Sequence, residues 1–135
     1  MPAKALNLRK KAPQETPDDF SATFKALRAI LEPYATGKMK VVQDKPDYYY
    51  LETTFSVMGR GPVMFAAVRK GKAYVSYHLM PIYMNQALQT KVSPELQRRK
   101  QGKACFNFSQ PDHKLFAELV ELTRLSFEGF KKLGR

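Results

Sequence analysis

Residues 63–80 constrain this chain more than any other segment. An apolar run, Val63-Met64-Phe65-Ala66-Ala67-Val68, leads into Arg69-Lys70-Gly71-Lys72 and out through Ala73-Tyr74-Val75-Ser76-Tyr77-His78-Leu79-Met80. Two β-prone runs around a short polar break containing glycine predict a β-hairpin. With Lys70-Gly71 as the loop, Val68 faces Ala73, Ala66 faces Val75 and Met64 faces Tyr77. That face is apolar and needs covering. The other face carries Val63, Phe65, Ala67 and Arg69 against Tyr74, Ser76 and His78, a mixed set suited to an exposed surface or a groove. A one-residue slip would exchange the two faces, because side chains alternate along a strand.

The flanking residues offer the cover. Thr16-Pro17-Asp18-Asp19 reads as a helix start: a capping hydroxyl, a proline at the first position and two acids that complement the dipole. Phe20, Phe24, Leu27, Ile30, Leu31 and Tyr34 then recur at helical spacing, and Pro33 and Gly37 end the helix. Residues 39–43 and 48–54 predict strands around the turn Asp44-Lys45-Pro46-Asp47. Pro81 stops the hairpin, and residues 82–90 read as irregular or as a short helix. Ser93-Pro94-Glu95 opens a short helix that Gly102 closes. Residues 104–108 alternate strictly, with Ala104, Phe106 and Phe108 on one side and Cys105 and Asn107 on the other. Residues 112–132 predict a long helix whose apolar stripe runs through Leu115, Phe116, Leu119, Val120, Leu122, Thr123, Ser126, Phe127 and Phe130. Helix, strands, short helix, strand, helix predicts an α+β fold, an antiparallel sheet packed against two long terminal helices on one of its faces. Residues 1–16, with Arg9-Lys10-Lys11 and no sustained period, read as a flexible basic arm ahead of a single domain over 17–135.

Charge narrows the partners. The 135 residues carry a formal net charge of +11, and the excess is uneven. Residues 53–111 hold nine Lys and Arg against Glu95 alone. A surface of one sign attracts anions: phosphorylated metabolites, acidic proteins or nucleic acid. Arg98-Arg99-Lys100 and the basic arm speak for nucleic acid, without a recognisable nucleic-acid-binding motif. No apolar run approaches the roughly 20 residues of a membrane span, so no membrane partner is expected. The segment MPAKALNLRKKAPQE lacks the apolar stretch of a secretory signal, and the lone Cys105 forms no internal disulfide. A reduced, cytoplasmic protein is the expectation.

No reaction is declared. There is no G-x-S-x-G, no glycine-rich phosphate loop and no H-E-x-x-H. Cys105 lies in an apolar strand and reads as a small core residue rather than a nucleophile. Glu118 and Glu121 read as a solvated helix face. No second histidine stands at ligand spacing from His78, so neither a metal nor a cofactor is expected. His78 is the one group titrating near neutrality inside the hairpin. It is either a core-edge histidine or a polar anchor. The candidate ligand-binding set is Arg69, Tyr74 and His78 on one hairpin face, Tyr83 just past the Pro81 bend, and Lys103 at the start of the last strand.

Two stretches carry a family resemblance: Tyr74-Val75-Ser76-Tyr77-His78-Leu79-Met80-Pro81, and Gln101-Gly102-Lys103-Ala104-Cys105-Phe106-Asn107-Phe108. Together they resemble the YdhG-like family of domains of unknown function, over about residues 18–133. The resemblance implies a small α+β domain with helices packed on an antiparallel sheet. Some members look like frataxins, and one branch is described as an intracellular iron chaperone. Frataxin-type iron binding uses an acidic ridge on the first helix and the adjoining strand. Here that region offers Asp18, Asp19, Glu32, Asp44 and Asp47, interleaved with Lys25, Arg28, Lys38, Lys40 and Lys45. The expected function is a non-enzymatic binding domain whose basic groove takes an anionic ligand or partner. The alternatives are a frataxin-like iron chaperone and a nucleic-acid-binding accessory protein.

Overall fold

The computed structural model describes residues 15–133, with side chains from residue 20 onward. The first helix, α1, spans Glu15–Leu31 and continues as a 3-10 turn over Glu32–Tyr34. It starts ahead of the expected Thr16 cap, and the arm expected over residues 1–16 otherwise lies outside the described residues. The strands that follow are β1 (Met39–Lys45), β2 (Tyr48–Thr53), β3 (Met64–Lys70) and β4 (Val75–Leu79). Three short helices come next: α2 (Met80–Met84), α3 (Gln86–Gln89) and α4 (Pro94–Gln97). A two-residue strand β5 (Lys100–Gln101), the strand β6 (Cys105–Phe108) and the C-terminal helix α5 (His113–Leu133) complete the order. The fold is α+β, with a six-stranded sheet in the order β1-β2-β3-β4-β6-β5 and every pairing antiparallel. Among the described residues no helix is long and apolar enough to cross a membrane.

Local chemistry explains most boundaries. The Ser93 hydroxyl accepts from the Leu96 amide and caps α4, with Pro94 at the first position. The Asp112 carboxylate accepts from the Leu115 amide and caps α5. Gly102, with φ at +72°, belongs to the tight turn joining β5 to β6 rather than to a helix end. The strand β5 itself was not expected from its two residues.

The hairpin keeps its faces but not its predicted register. Lys70 pairs with Val75, Val68 with Tyr77 and Ala66 with Leu79. The loop is therefore Gly71-Lys72-Ala73-Tyr74, closed by the Gly71 amide donating to the Tyr74 carbonyl at 2.9 Å. A two-residue loop favours positive φ at its central residues, which Lys70 resists. The four-residue loop contains no residue with positive φ. Because the partner moves by an even number of residues, the side chains of the paired residues 66–70 and 75–79 stay on their predicted sides.

Two strand positions ahead of Ala66 do change sides. Leu51 pairs with Ala66 but Glu52 pairs with Met64, so Phe65 is the extra residue of a β-bulge. Phe65 turns into the core, its ring centroid 5.9 Å from Tyr34, 6.0 Å from Phe127 and 6.1 Å from Phe130. Met64, expected on the covered face, is moved to the other side and shares a cavity with His78 and Cys105.

The core joins α1 and α5 to one side of the sheet. Phe24, Leu27 and Leu31 of α1, with Leu119, Leu122 and Phe130 of α5, share one buried cluster with Val68, Val75 and Tyr77. Val120, placed in the buried stripe by periodicity, is 50% exposed. Glu118 is not simply solvated. Its carboxylate accepts from the Ser93 amide at 2.8 Å and from the Ser93 hydroxyl at 2.7 Å, tying α4 to α5. Glu118→Gln turns one of those acceptors into an amide donor facing Ser93, and is expected to cost about 1 kcal/mol of stability. A urea titration of the two proteins measures it. Coincident midpoints would return Glu118 to the solvated role that spacing suggested.

Candidate functional site

The second face of the sheet bears the site. Alternation sends Tyr48 and Tyr50 of β2, Arg69 and Ala67 of β3, Ser76 and His78 of β4, and Cys105 and Asn107 of β6 to this side. Register arranges them in rows. Tyr48 stands opposite Arg69, Arg69 opposite Ser76, and Ser76 opposite Asn107. In the next row Tyr50 stands opposite Ala67, Ala67 opposite His78, His78 opposite Cys105, and Cys105 opposite Gln101. The Arg69 guanidinium lies 5.4 Å from the Tyr48 ring centroid.

A polar network joins the rows. The Ser76 hydroxyl donates to the Asn107 side-chain oxygen at 2.8 Å, and the Asn107 amide donates to the Gln101 oxygen at 2.8 Å. The Cys105 sulfur lies 3.5 Å from His78 Nε2 and 3.6 Å from Asn107 Oδ1. Burial holds the His78 pKa below its ordinary value, and the neighbouring Arg69 charge pushes it the same way. Burial raises the Cys105 thiol, against the opposing pull of a hydrogen bond from Ser76. At neutral pH the pair is therefore a neutral thiol against a neutral imidazole. An activated thiolate needs the reverse shift on the cysteine, so the pair is not poised for nucleophilic attack.

The structure divides the five expected site residues between two depressions. His78, Tyr83 and Lys103 line one cavity of about 220 Å³ together with Met64, Met80 and Cys105. The Lys103 ammonium sits 5.7 Å from the Tyr83 ring centroid. Arg69 and Tyr74 line another, of about 380 Å³, with Lys72 and Ser76. Tyr74 belongs to the hairpin loop, not to the strand that was expected to carry it. A third depression of about 370 Å³ shares Tyr74 with the second and Gln101 with the first, and contains Arg98, Arg99 and Lys100. The Arg99 carbonyl accepts from the Asn107 amide, which holds this basic segment beside β6.

Cys105 is the residue the sequence reading missed. Its strand alternates, and its side of that alternation also carries Asn107. That signal marks Cys105 as belonging to the polar face, although only the pairing of β4 with β6 sets it against His78. Among the described residues no group of three or more His, Cys, Asp and Glu side chains is placed to hold a metal ion. In the region of the expected acidic ridge, Arg28 is bound to both Glu32, at 2.9 Å, and Asp44, at 2.8 Å. No protein-family model, curated protein or solved structure matches this chain.

Proposed function

We propose that this protein is a binding module whose uncovered sheet face takes an anionic ligand. One observation carries the reading. Arg69, Lys72, Arg98, Arg99, Lys100 and Lys103 line three depressions linked through Tyr74 and Gln101, and no Asp or Glu lines any of them. Among the described residues none of these six cations is in an ion pair. Cations outside any ion pair, beside a polar network, can pair with an anion and complete its hydrogen bonds. The YdhG-like, frataxin-like assignment is proposed with this function. Its support is the two motifs themselves, whose strand portions are neighbours, Val75 opposite Phe108 and His78 opposite Cys105. The iron-chaperone alternative needs free carboxylates on the first helix and adjoining strand, and Glu32 and Asp44 there are held by Arg28.

The test uses inorganic tripolyphosphate as the probe. Calorimetric titration of the wild type is expected to show binding that weakens as salt is added. Arg69→Ala and Lys103→Ala are each expected to reduce affinity about tenfold or more, the effect of losing a charge-assisted contact of ~1.5–3 kcal/mol. Both side chains are exposed, so the ligand-free melting temperature should hardly move. Affinity is also expected to rise as pH falls through the lowered His78 pKa, because the imidazolium adds a charge beside the anion. Affinity indifferent to salt and to both substitutions would refute the reading.

A second reading, single-stranded nucleic acid, has its own observation. Tyr74 and Tyr83 are 40% and 56% exposed and line depressions that also hold cations, and exposed rings beside cations suit base stacking. Under it, an oligothymidylate should bind more tightly than tripolyphosphate, and Tyr74→Ala should remove the difference.

A further inference from the structure

The cavity at the His78 end of the sheet has a chemistry that anion binding does not use. Four side chains from three chain segments meet there: Met64 of β3, His78 of β4, Met80 at the start of α2, and Cys105 of β6. The β-bulge at Phe65 brings Met64 to this side. Met80 opens α2 directly after β4 and lines the same cavity as His78. Nothing in the anion reading calls for a thiol or two thioethers.

We propose that this cavity binds one cuprous ion, held by the Cys105 thiolate, the His78 imidazole and a thioether from Met64 or Met80. The donor spacing suits a single ion. Cys105 Sγ and His78 Nε2 are 3.5 Å apart. With metal–nitrogen and metal–sulfur bonds of about 2.0 and 2.3 Å, donors at that separation subtend close to a tetrahedral angle at one metal. The donor set is soft, and thiolate with thioether selects Cu(I) over hard cations.

Charge selects the same ion. No carboxylate lines the cavity, whereas Lys103 does. Arg69 lies on the same sheet face, opposite Ser76 and one row from His78. A divalent ion on one thiolate would leave a net positive centre next to these cations. A cuprous ion on the thiolate leaves a neutral one. The step balances without a redox partner: the Cys105 S–H bond breaks, an S–Cu bond forms, and one proton leaves to solvent. An imidazole binds a metal in its neutral form, so His78 coordinates through Nε2 without a proton being displaced from that nitrogen.

The experiment is an anaerobic titration of the full chain with Cu(I), competing against a chromophoric cuprous chelator. The wild type is expected to withdraw one equivalent of copper, and Cys105→Ser none. His78→Gln and the double variant Met64→Leu with Met80→Leu are each expected to lower affinity at least about tenfold. Zn(II) should fail to compete. Circular dichroism melts of each variant verify that it is folded. Copper uptake by Cys105→Ser equal to wild type, or no uptake by wild type, overturns the proposal. So does uptake that needs Cys105 but ignores the histidine and methionine variants, since that is an accessible thiol and no built site. Zinc binding as tight as copper would overturn the choice of ion.

Discussion

Phe65→Ala is expected to remove about 3–5 kcal/mol of folding stability, the usual loss for a buried phenylalanine. Met64→Ala, one residue away, is expected to cost only about 1 kcal/mol. The contrast follows from the bulge. Phe65 is fully buried among Tyr34, Phe127 and Phe130, whereas Met64 borders a cavity on the other face. Domains of this size are stable by about 5–15 kcal/mol, so the Phe65 variant is expected to retain little margin at physiological temperature. Denaturant titrations of both variants decide it. Strict alternation along β3 would reverse the order, with Met64 the costly position, and that outcome would remove the bulge from the fold.

The second large effect lies at the buried contact between the sheet and α5. The Tyr77 hydroxyl and the Thr123 hydroxyl are 2.6 Å apart and fully buried. Burial drives the Tyr77 pKa far above the usual phenol range, so it stays protonated, although the Thr123 bond opposes the shift. Thr123→Val strands the Tyr77 hydroxyl without its partner, and Tyr77→Phe does the same to Thr123. Each is expected to cost about 1–3 kcal/mol, the penalty of an unsatisfied buried hydroxyl. The double variant removes both polar groups and is expected to be no worse than either single variant. Unfolding free energies for the four proteins form the cycle. Strictly additive losses would show that the two hydroxyls do not support one another.

The candidate site was partly legible. The alternation of residues 63–80 set His78 and Arg69 on the same face, and they remain there. Tyr83 and Lys103 do join His78 at one cavity. Arg69 and Tyr74 line a separate depression, and the four-residue loop takes Tyr74 out of the strand. Cys105 was read as core because its neighbours Ala104 and Phe106 are apolar. Its strand in fact shows one face to the core and the other to the polar network, and the partner of a cross-strand pair is not written in the strand itself. Glu118 was read as solvated because helical spacing cannot reveal that Ser93, 25 residues earlier, would present two donors to it.

What the sequence by itself determined is whatever depends on near neighbours. Helical stripes fix which side of α5 is apolar, because positions three and four apart share a face. The caps at Ser93 and Asp112 act within one turn. Two-residue alternation decides which face of a strand a residue occupies, and it survives any even change of register. What only the tertiary structure decided depends on distant segments competing for the same core. The bulge that exchanges Phe65 and Met64 exists because Tyr34, Phe127 and Phe130 meet a ring there. The pairing of β4 with β6 places a thiol against an imidazole and gathers separated cations along one strip. Such contacts join residues tens of positions apart, and their energy is gained only when the whole sheet has closed against its helices.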